Sequence, residues 1–121
     1  MRKNTLGKLL IAGSGISFCC QAYSAVFLID FPEQKKEQWF APYVSGAAAA
    51  FDTANIELAE LGRPKLYCVP GKLSLNYTNY LQWIEESYGE ARNDQALLKV
   101  ALVDWVLLEK LKNNFPCKKV P

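Results

Sequence analysis

Residues 42–61, which read PYVSGAAAAFDTANIELAEL, decide the fold of this chain. Pro42 suits the first position of an α-helix, and Gly62, followed by Pro64, suits its end. Apolar residues recur at spacings of three and four, as they do on one face of a helix. We therefore predict a helix from Pro42 to Leu61, with an apolar stripe formed by Tyr43, Ala47, Ala50, Phe51, Ala54, Leu58 and Leu61.

Two more helices are predicted on the C-terminal side of this segment. The second begins with Ser74 as its N-cap and ends near residue 88, before a glycine. The third spans about 94–112, and ten of the twelve residues between 97 and 108 are apolar, which is typical of a central helix. With a helical turn near 33–38, the sequence predicts an all-α fold, a small helical domain of three to four helices.

The N-terminus has the organisation of a secretory signal peptide. Residues 1–8 carry three basic residues and no acidic residue, and residues 9–18 form a short apolar stretch. A membrane anchor needs roughly 18 or more apolar residues, so this stretch is too short to be one. We predict that residues 1–25 are a signal peptide and that residues 26–121 form a single domain in the periplasm.

Three cleavage positions fit this signal. Cleavage after Ala22 or Ser24 leaves small residues at both recognition positions, whereas cleavage after Ala25 leaves a tyrosine at one of them. The alternative, lipidation at Cys19, is disfavoured because the bulky Phe18 precedes that cysteine. No association with a membrane is expected once the signal has been removed.

Composition excludes several classes of function. The chain contains no histidine, which excludes a Ser-His-Asp triad, a Cys-His pair and a His-ligated metal site. The leader holds three of the 14 basic residues and none of the 12 acidic residues, so the mature chain has a net charge of −1. This charge does not favour nucleic acid as a partner. We expect no cofactor, no bound metal and no enzymatic activity.

One disulfide and one exposed loop are the main candidate features. Cys68 and Cys117 are the two cysteines that remain after export, and an even count in an oxidising compartment indicates a disulfide. The loop at 62–72 contains one of them. Within this loop, Arg63, Lys65 and Tyr67 are the candidate partner-binding residues, because the disulfide restrains a basic and aromatic surface there. The alternative is a simple helix connector.

Three other groups have both a functional and a structural interpretation. Asp104, inside the most apolar helix, is a candidate acid or binding anchor, but a solvated or hydrogen-bonded carboxylate is favoured. Trp39, Phe40 and Tyr43 suit either a protein-binding patch or the core, and the core is favoured. The glutamates at 85, 86 and 90 resemble a catalytic carboxylate group but suit a solvated helix surface better.

Several short motifs resemble one known family. They are Tyr43-Val44-Ser45-Gly46 at the start of a helix, Cys68-Val69-Pro70 followed by a Tyr-rich helix, and a terminal Phe115-Pro116-Cys117. In this order, after a signal peptide, the motifs resemble the Rap1a/Tai family of secreted immunity proteins over roughly residues 39–117. The sequence departs from that family at 40–43, where many members carry an additional cysteine before the helix.

The resemblance implies a small, all-helical periplasmic protein with Cys68 and Cys117 as its structural disulfide. It implies a periplasmic immunity protein that binds a peptidoglycan-degrading amidase effector of a type VI secretion system and occludes its cleft. The resemblance also allows a homodimer. The alternative is a periplasmic acid-stress or helper chaperone of the HdeA type, without a toxin partner, because that class is also all-helical with one disulfide.

Overall fold

The computed structural model describes residues 25–119 and confirms a small all-α domain with one disulfide. Within these residues there are five α-helices, a short 3-10 helix at Leu28–Asp30 and no β-strand. The α-helices are α1 (Phe31–Gln34), α2 (Phe40–Glu60), α3 (Tyr77–Ala91), α4 (Gln95–Val100) and α5 (Val103–Asn114). The predicted signal peptide and its cleavage positions, apart from Ala25, lie outside the described residues.

Helix α2 ends where the sequence predicts. Gly62 has φ +65°, and among the described residues it alone has a positive φ. Its N–H donates to the carbonyl of Ala59 at 3.0 Å, and the N–H of Arg63 donates to the carbonyl of Leu58 at 2.8 Å. These two bonds form a Schellman motif, in which glycine adopts the left-handed conformation at little steric cost.

The buried stripe of α2 differs from the prediction by about one position. Its buried residues are Phe40, Val44, Ala48 and Asn55, while several of the predicted residues are half-buried neighbours of the core. Ala50 and Leu61 are exposed, so their assignment to the core is wrong. The buried line includes Asn55 because its side chain bonds the backbone of Leu66 and Tyr67, which a pattern of apolar residues does not reveal.

Asn76, rather than Ser74, caps helix α3. The Asn76 Oδ1 accepts from the N–H groups of Thr78 at 2.9 Å and Asn79 at 3.4 Å, and the Asn79 Oδ1 accepts from the N–H of Asn76 at 3.0 Å. These reciprocal bonds form a capping box, which satisfies N–H groups that have no partner within the helix. At the other end the helix continues through Gly89 to Ala91, so the predicted stop at that glycine is wrong.

The third predicted helix is broken into α4 and α5. Ala101 has an extended conformation, with ψ 125°, and an isolated antiparallel bridge pairs Leu102 with Phe27. The N–H of Leu28 donates to the carbonyl of Ala101, and the N–H of Val103 donates to the carbonyl of Val26, both at 2.8 Å. Residues 26–28, which we call the N-terminal arm, therefore bond the backbone carbonyl of Ala101 and N–H of Val103. In a continuous helix these two groups would form bonds within the helix.

The three long helices α2, α3 and α5 contact one another in pairs, and the core lies between them. The largest side chains that are almost fully buried include Phe31, Phe40, Leu28, Ile84, Leu98, Leu107 and Leu111. Beyond this core, the Cys68–Cys117 disulfide joins the loop after α2 to the segment after α5, with 4.9 Å between the two Cα atoms. No helix within residues 25–119 combines the length and apolar character needed to cross a membrane.

Candidate protein-binding surfaces

The loop after α2 is held by a buried asparagine. Asn55, which is 8% exposed, lies in the C-terminal part of α2, which ends at Glu60. Its Nδ2 donates to the carbonyl of Tyr67 at 3.0 Å, and its Oδ1 accepts from the N–H of Leu66 at 2.7 Å. One amide side chain therefore satisfies two backbone groups of the loop, as a buried polar group requires. No motif in the sequence distinguishes Asn55 as an anchor for this loop.

Tyr67 lies in the core, so the expectation that it is an exposed aromatic residue is wrong. Its side chain is 2% exposed, and its hydroxyl donates to the Asp52 Oδ1 at 2.6 Å. Burial raises the pKa of the Tyr67 hydroxyl far above its ordinary value, and the hydrogen bond to Asp52 and the charge of that carboxylate add to the rise. Tyr67 thus fixes the loop against α2.

Arg63 and Lys65 remain on the surface of this loop. Both residues are exposed, as is Pro64 between them. The backbone around them is restrained on one side by Gly62 and on the other by Asn55 and the disulfide, whose Cys117 Sγ lies 3.8 Å from the carbonyl oxygen of Lys65. The loop is therefore a restrained basic tip, with two of its three predicted binding residues accessible.

A second surface lies at the break between α4 and α5. Trp105 is 51% exposed, Val100 is 69% exposed and Leu97 is 41% exposed, although all three are large apolar residues. Together with Ala101 they line two adjoining depressions of about 340 and 300 Å³ that share Leu97, Ala101 and Trp105. We call the two depressions the Trp105 groove.

Charged residues line one end of the Trp105 groove. Three carboxylates and one ammonium group contribute to it, namely Glu90, Asp94, Glu109 and Lys110. Lys110 Nζ lies 3.6 Å from a carboxylate oxygen of Glu90 and 3.6 Å from one of Glu86, so it ties α5 to α3. Asp94 caps α4 by accepting from the N–H of Leu97 at 3.0 Å. The other end, around Val100 and Leu102, has almost no polar surface.

The remaining sequence candidates have structural partners. Asp104 is half-buried in the first turn of α5, where its Oδ1 accepts from the N–H of Trp105 at 3.0 Å and where a negative charge complements the helix dipole. Burial, and secondarily the charge of Asp104, raises the pKa of Tyr43. Phe40 is fully buried, whereas Trp39 is 43% exposed and contacts Tyr43 edge-on, with 6.0 Å between ring centroids.

The three glutamates of α3 form ion pairs rather than a separate cluster. Glu85 lies 3.3 Å from Lys35 Nζ, and the other two share Lys110. Within residues 25–119, no group of three or more His, Cys, Asp or Glu side chains is arranged to hold a metal ion. In the described part of the chain, these carboxylates therefore have charge partners that account for their positions.

The Trp105 groove was missed in the sequence because the third helix was predicted to be continuous and central. The available signal was the surplus of apolar residues between 97 and 108, which exceeds what one face of a helix can bury in a small domain.

Comparisons with protein-family models, with curated proteins and with solved structures found no match to this chain. The residues and their geometry are therefore the basis for inferring a function.

Proposed function

We propose that this protein is a periplasmic immunity protein that binds an amidase effector of a type VI secretion system and occludes its peptidoglycan-degrading cleft. The observation that carries the proposal is the exposed Trp105 groove on a domain restrained by a disulfide. The motif resemblance to the Rap1a/Tai family supports the same class of partner. Residues 1–25 would direct the chain to the periplasm, where such effectors act.

An exposed tryptophan in an apolar depression is typical of a protein-binding surface. Tryptophan is enriched among residues that dominate binding energy, and it acts most strongly when a partner removes it fully from water. Trp105 and Val100 each leave more than half of their surface in solvent, and no helix of the described chain covers them. A partner that covers both side chains would remove their exposed apolar surface from water, and this burial would favour binding.

Restraint of the surface favours inhibition by occlusion. The groove lies where the N-terminal arm is bonded to both Ala101 and Val103, so its backbone is ordered before a partner arrives. The basic tip at Arg63 and Lys65 is similarly restrained by Asn55. A restrained surface loses less conformational entropy on binding, which suits a protein that must bind a toxin tightly.

The test is protection of cells followed by inhibition of the enzyme. The full chain is expressed with each candidate amidase effector of the same strain directed to the periplasm, and cell lysis is followed. The protein purified from that periplasm is then titrated into a peptidoglycan digestion assay. We expect protection and stoichiometric inhibition for one effector. Failure to inhibit any of these amidases would contradict the proposal.

Matched variants then distinguish the two surfaces. Trp105→Ala should lower the affinity for the effector by about tenfold or more, as for a central interface residue. Ile56→Ala, which also truncates an exposed apolar residue but lies on α2, should leave inhibition unchanged. Arg63→Ala combined with Lys65→Ala tests the basic tip. If only that variant fails, inhibition remains the function and the binding surface is the loop.

An acid-activated helper chaperone is the second candidate, and the ion pairs between helices favour it. Lys110 is held by two carboxylates of α3, and Lys35 is held by a third. These contacts hold α3 against α5 and against the end of α1, and this candidate requires that acid loosens them and exposes apolar surface. Binding of an apolar dye between pH 7 and about pH 3 tests this candidate. A strong rise in dye binding with retained helicity would support it, and unchanged binding would exclude it.

A further inference from the structure

The Trp105 groove combines an apolar floor with an acidic rim. Trp105 and Leu97 form its centre, whereas Glu90, Asp94 and Glu109 face the same depression with Lys110 as the one cation among its lining residues. Lys110 pairs with Glu86 and Glu90, and Lys112, which does not line the groove, pairs with Glu109 at 3.1 Å. These pairs neutralise the rim in part, but its lining still has three carboxylates for one ammonium group, beside an uncovered apolar surface.

We propose that the Trp105 groove binds a cationic amphipathic segment of the partner protein. Apolar side chains of the segment would cover Trp105, Leu97 and Val100, while its lysine or arginine side chains would reach the carboxylates of the rim. This inference deepens the proposed function, since the amidase effector would supply the segment. A cleft that binds carboxylate-bearing peptides would favour basic groups around it, because opposite charge attracts such a substrate. An acidic, apolar surface complements such a cleft.

The charge distribution argues against a second copy of this chain as the occupant. In a two-fold dimer, the same surface meets itself, so the three carboxylates of one rim would face those of the other. A head-to-tail arrangement would bring the basic tip of one copy to the groove of another. That tip offers charge, but Tyr67 is buried and Leu66 is half-buried in its own fold, so neither is free to cover Trp105.

Two features of the groove determine the size of the expected effects. Trp105 lies at the centre shared by both depressions, so its truncation removes contact area from the whole groove. Glu109 and Glu90 lie at the partly solvated rim, where each charge pair contributes modestly and is screened by salt. The apolar floor should therefore determine most of the affinity, and the rim should determine the preference for positive charge.

The experiment uses the protein purified from the periplasm of cells that express the full chain. The probe is a short synthetic helical peptide of leucine and lysine, and its counterpart has glutamate at every lysine position. Binding is followed by the indole N–H signals of the three tryptophans in NMR spectra and by titration calorimetry. Trp105→Phe identifies the signal that belongs to the groove. Ile56→Ala serves as the control for an exposed apolar residue elsewhere.

We expect the lysine peptide to shift the Trp105 signal and to bind at least about tenfold more tightly than the glutamate peptide. Trp105→Ala should weaken binding about tenfold or more. Glu90→Gln combined with Glu109→Gln should weaken it about threefold to tenfold and reduce its dependence on salt. Val100→Lys, which changes a mostly exposed residue and therefore preserves folding, should also weaken binding of the lysine peptide.

Three results would overturn the inference. They are equal binding of the two peptides, shifts at another tryptophan but not at Trp105, and concentration-dependent dimers that Trp105→Ala abolishes. Inhibition of an amidase without peptide binding at the groove would leave the proposed function intact and reject only this surface. Peptide binding at the groove without inhibition of any amidase would support the surface and reject the amidase as its partner.

Discussion

Replacement of Asn55 by alanine should release the loop after α2 and destabilise the whole domain. Asn55 is the one polar or charged residue in the buried set of the described chain, and its amide bonds both Leu66 and Tyr67. These bonds connect α2 to the chain immediately before Cys68, so they restrain the loop independently of the disulfide. Alanine removes both bonds and leaves the backbone N–H and carbonyl groups without these partners.

The magnitude follows from these two contacts. Each intramolecular hydrogen bond contributes about 0.5–1.5 kcal/mol, and each buried backbone group left unsatisfied adds about 1–3 kcal/mol unless water reaches it. Because the loop lies at the surface, water should form some hydrogen bonds with the two freed backbone groups. We therefore expect a loss of about 2–4 kcal/mol in the free energy of unfolding. For a domain of this size, that loss lowers the Tm by about 10–25 °C.

Denaturant unfolding of the oxidised protein, followed by circular dichroism, measures this change. Thr53→Ala is the matched control, because Thr53 is exposed on the same helix and its hydroxyl bonds only the carbonyl of Ala49. Its expected effect is below about 0.5 kcal/mol. Asn55→Asp preserves size and the acceptor for Leu66 but directs an oxygen at the carbonyl of Tyr67. It should be destabilising at neutral pH and partly recover in acid, when its carboxyl can donate.

An effect of Asn55→Ala no larger than that of Thr53→Ala would refute this reasoning. The loop would then be held by the disulfide and by Tyr67 without a contribution from the asparagine. Asn55→Ala could lose much unfolding free energy while Asn55→Asp regains none in acid. That result would distinguish the contributions of the two hydrogen bonds. In that case the N–H of Leu66, rather than the carbonyl of Tyr67, would account for most of the stabilisation.

Three further predictions concern stability. Replacement of Cys68 and Cys117 by serine should cost about 4 kcal/mol, because the disulfide closes a loop with a sequence separation of 49, and thermal unfolding measures it. Stability should fall above about pH 10, because burial and Asp52 raise the folded pKa of Tyr67 above its unfolded value and folding favours the neutral phenol. Tyr67→Phe should therefore reduce the difference in unfolding free energy between pH 8 and about pH 11; an unchanged difference would contradict this cause. Lys110→Met should cost about 0.5–1 kcal/mol in low salt and less in high salt, as denaturant titrations would show, and a salt-independent loss would indicate packing instead.

Features that depend on nearby residues could be predicted from the sequence. The end of α2 follows from Gly62, whose left-handed conformation is a local property of glycine. The Cys68–Cys117 disulfide follows from an even cysteine count in a chain that is predicted to be exported, so it needed no knowledge of the packing. The all-α class follows from the spacing of apolar residues alone.

The break between α4 and α5 could not be predicted in this way. Residues 95–114 favour a continuous helix by propensity, and they contain neither proline nor glycine. The helix is interrupted because Phe27 and its neighbours, far away in the sequence, pair with Leu102 and bond the backbone on both sides of it. A tertiary contact thus overrides local preference, and it exposes Val100 and Trp105 as a consequence.

Asn55 and Tyr67 were difficult to assign for a related reason. A stripe of apolar residues identifies the buried side of a helix by averaging, so a single polar residue within it is assigned to solvent. Whether such a residue is buried depends on a partner, and here the partners of Asn55 lie 11 and 12 residues later in an irregular loop. Tyr67 is placed in the core by the bond from Asn55 to its carbonyl and by the bond from its hydroxyl to Asp52.

The basic tip and the acid-rimmed groove are associated with opposite ends of α5. Trp105 lies in the first turn of this helix, and the disulfide that anchors the loop of Arg63 and Lys65 follows its last turn. The 12 residues of α5 span about 18 Å. A standard interface of about 800 Å² per partner is roughly 30 Å across, which exceeds the length of α5, so a partner that contacts both surfaces is within the standard size. Such a partner needs a negative region for the tip and a positive, apolar region for the groove, and this opposite pattern would set both its orientation and its specificity.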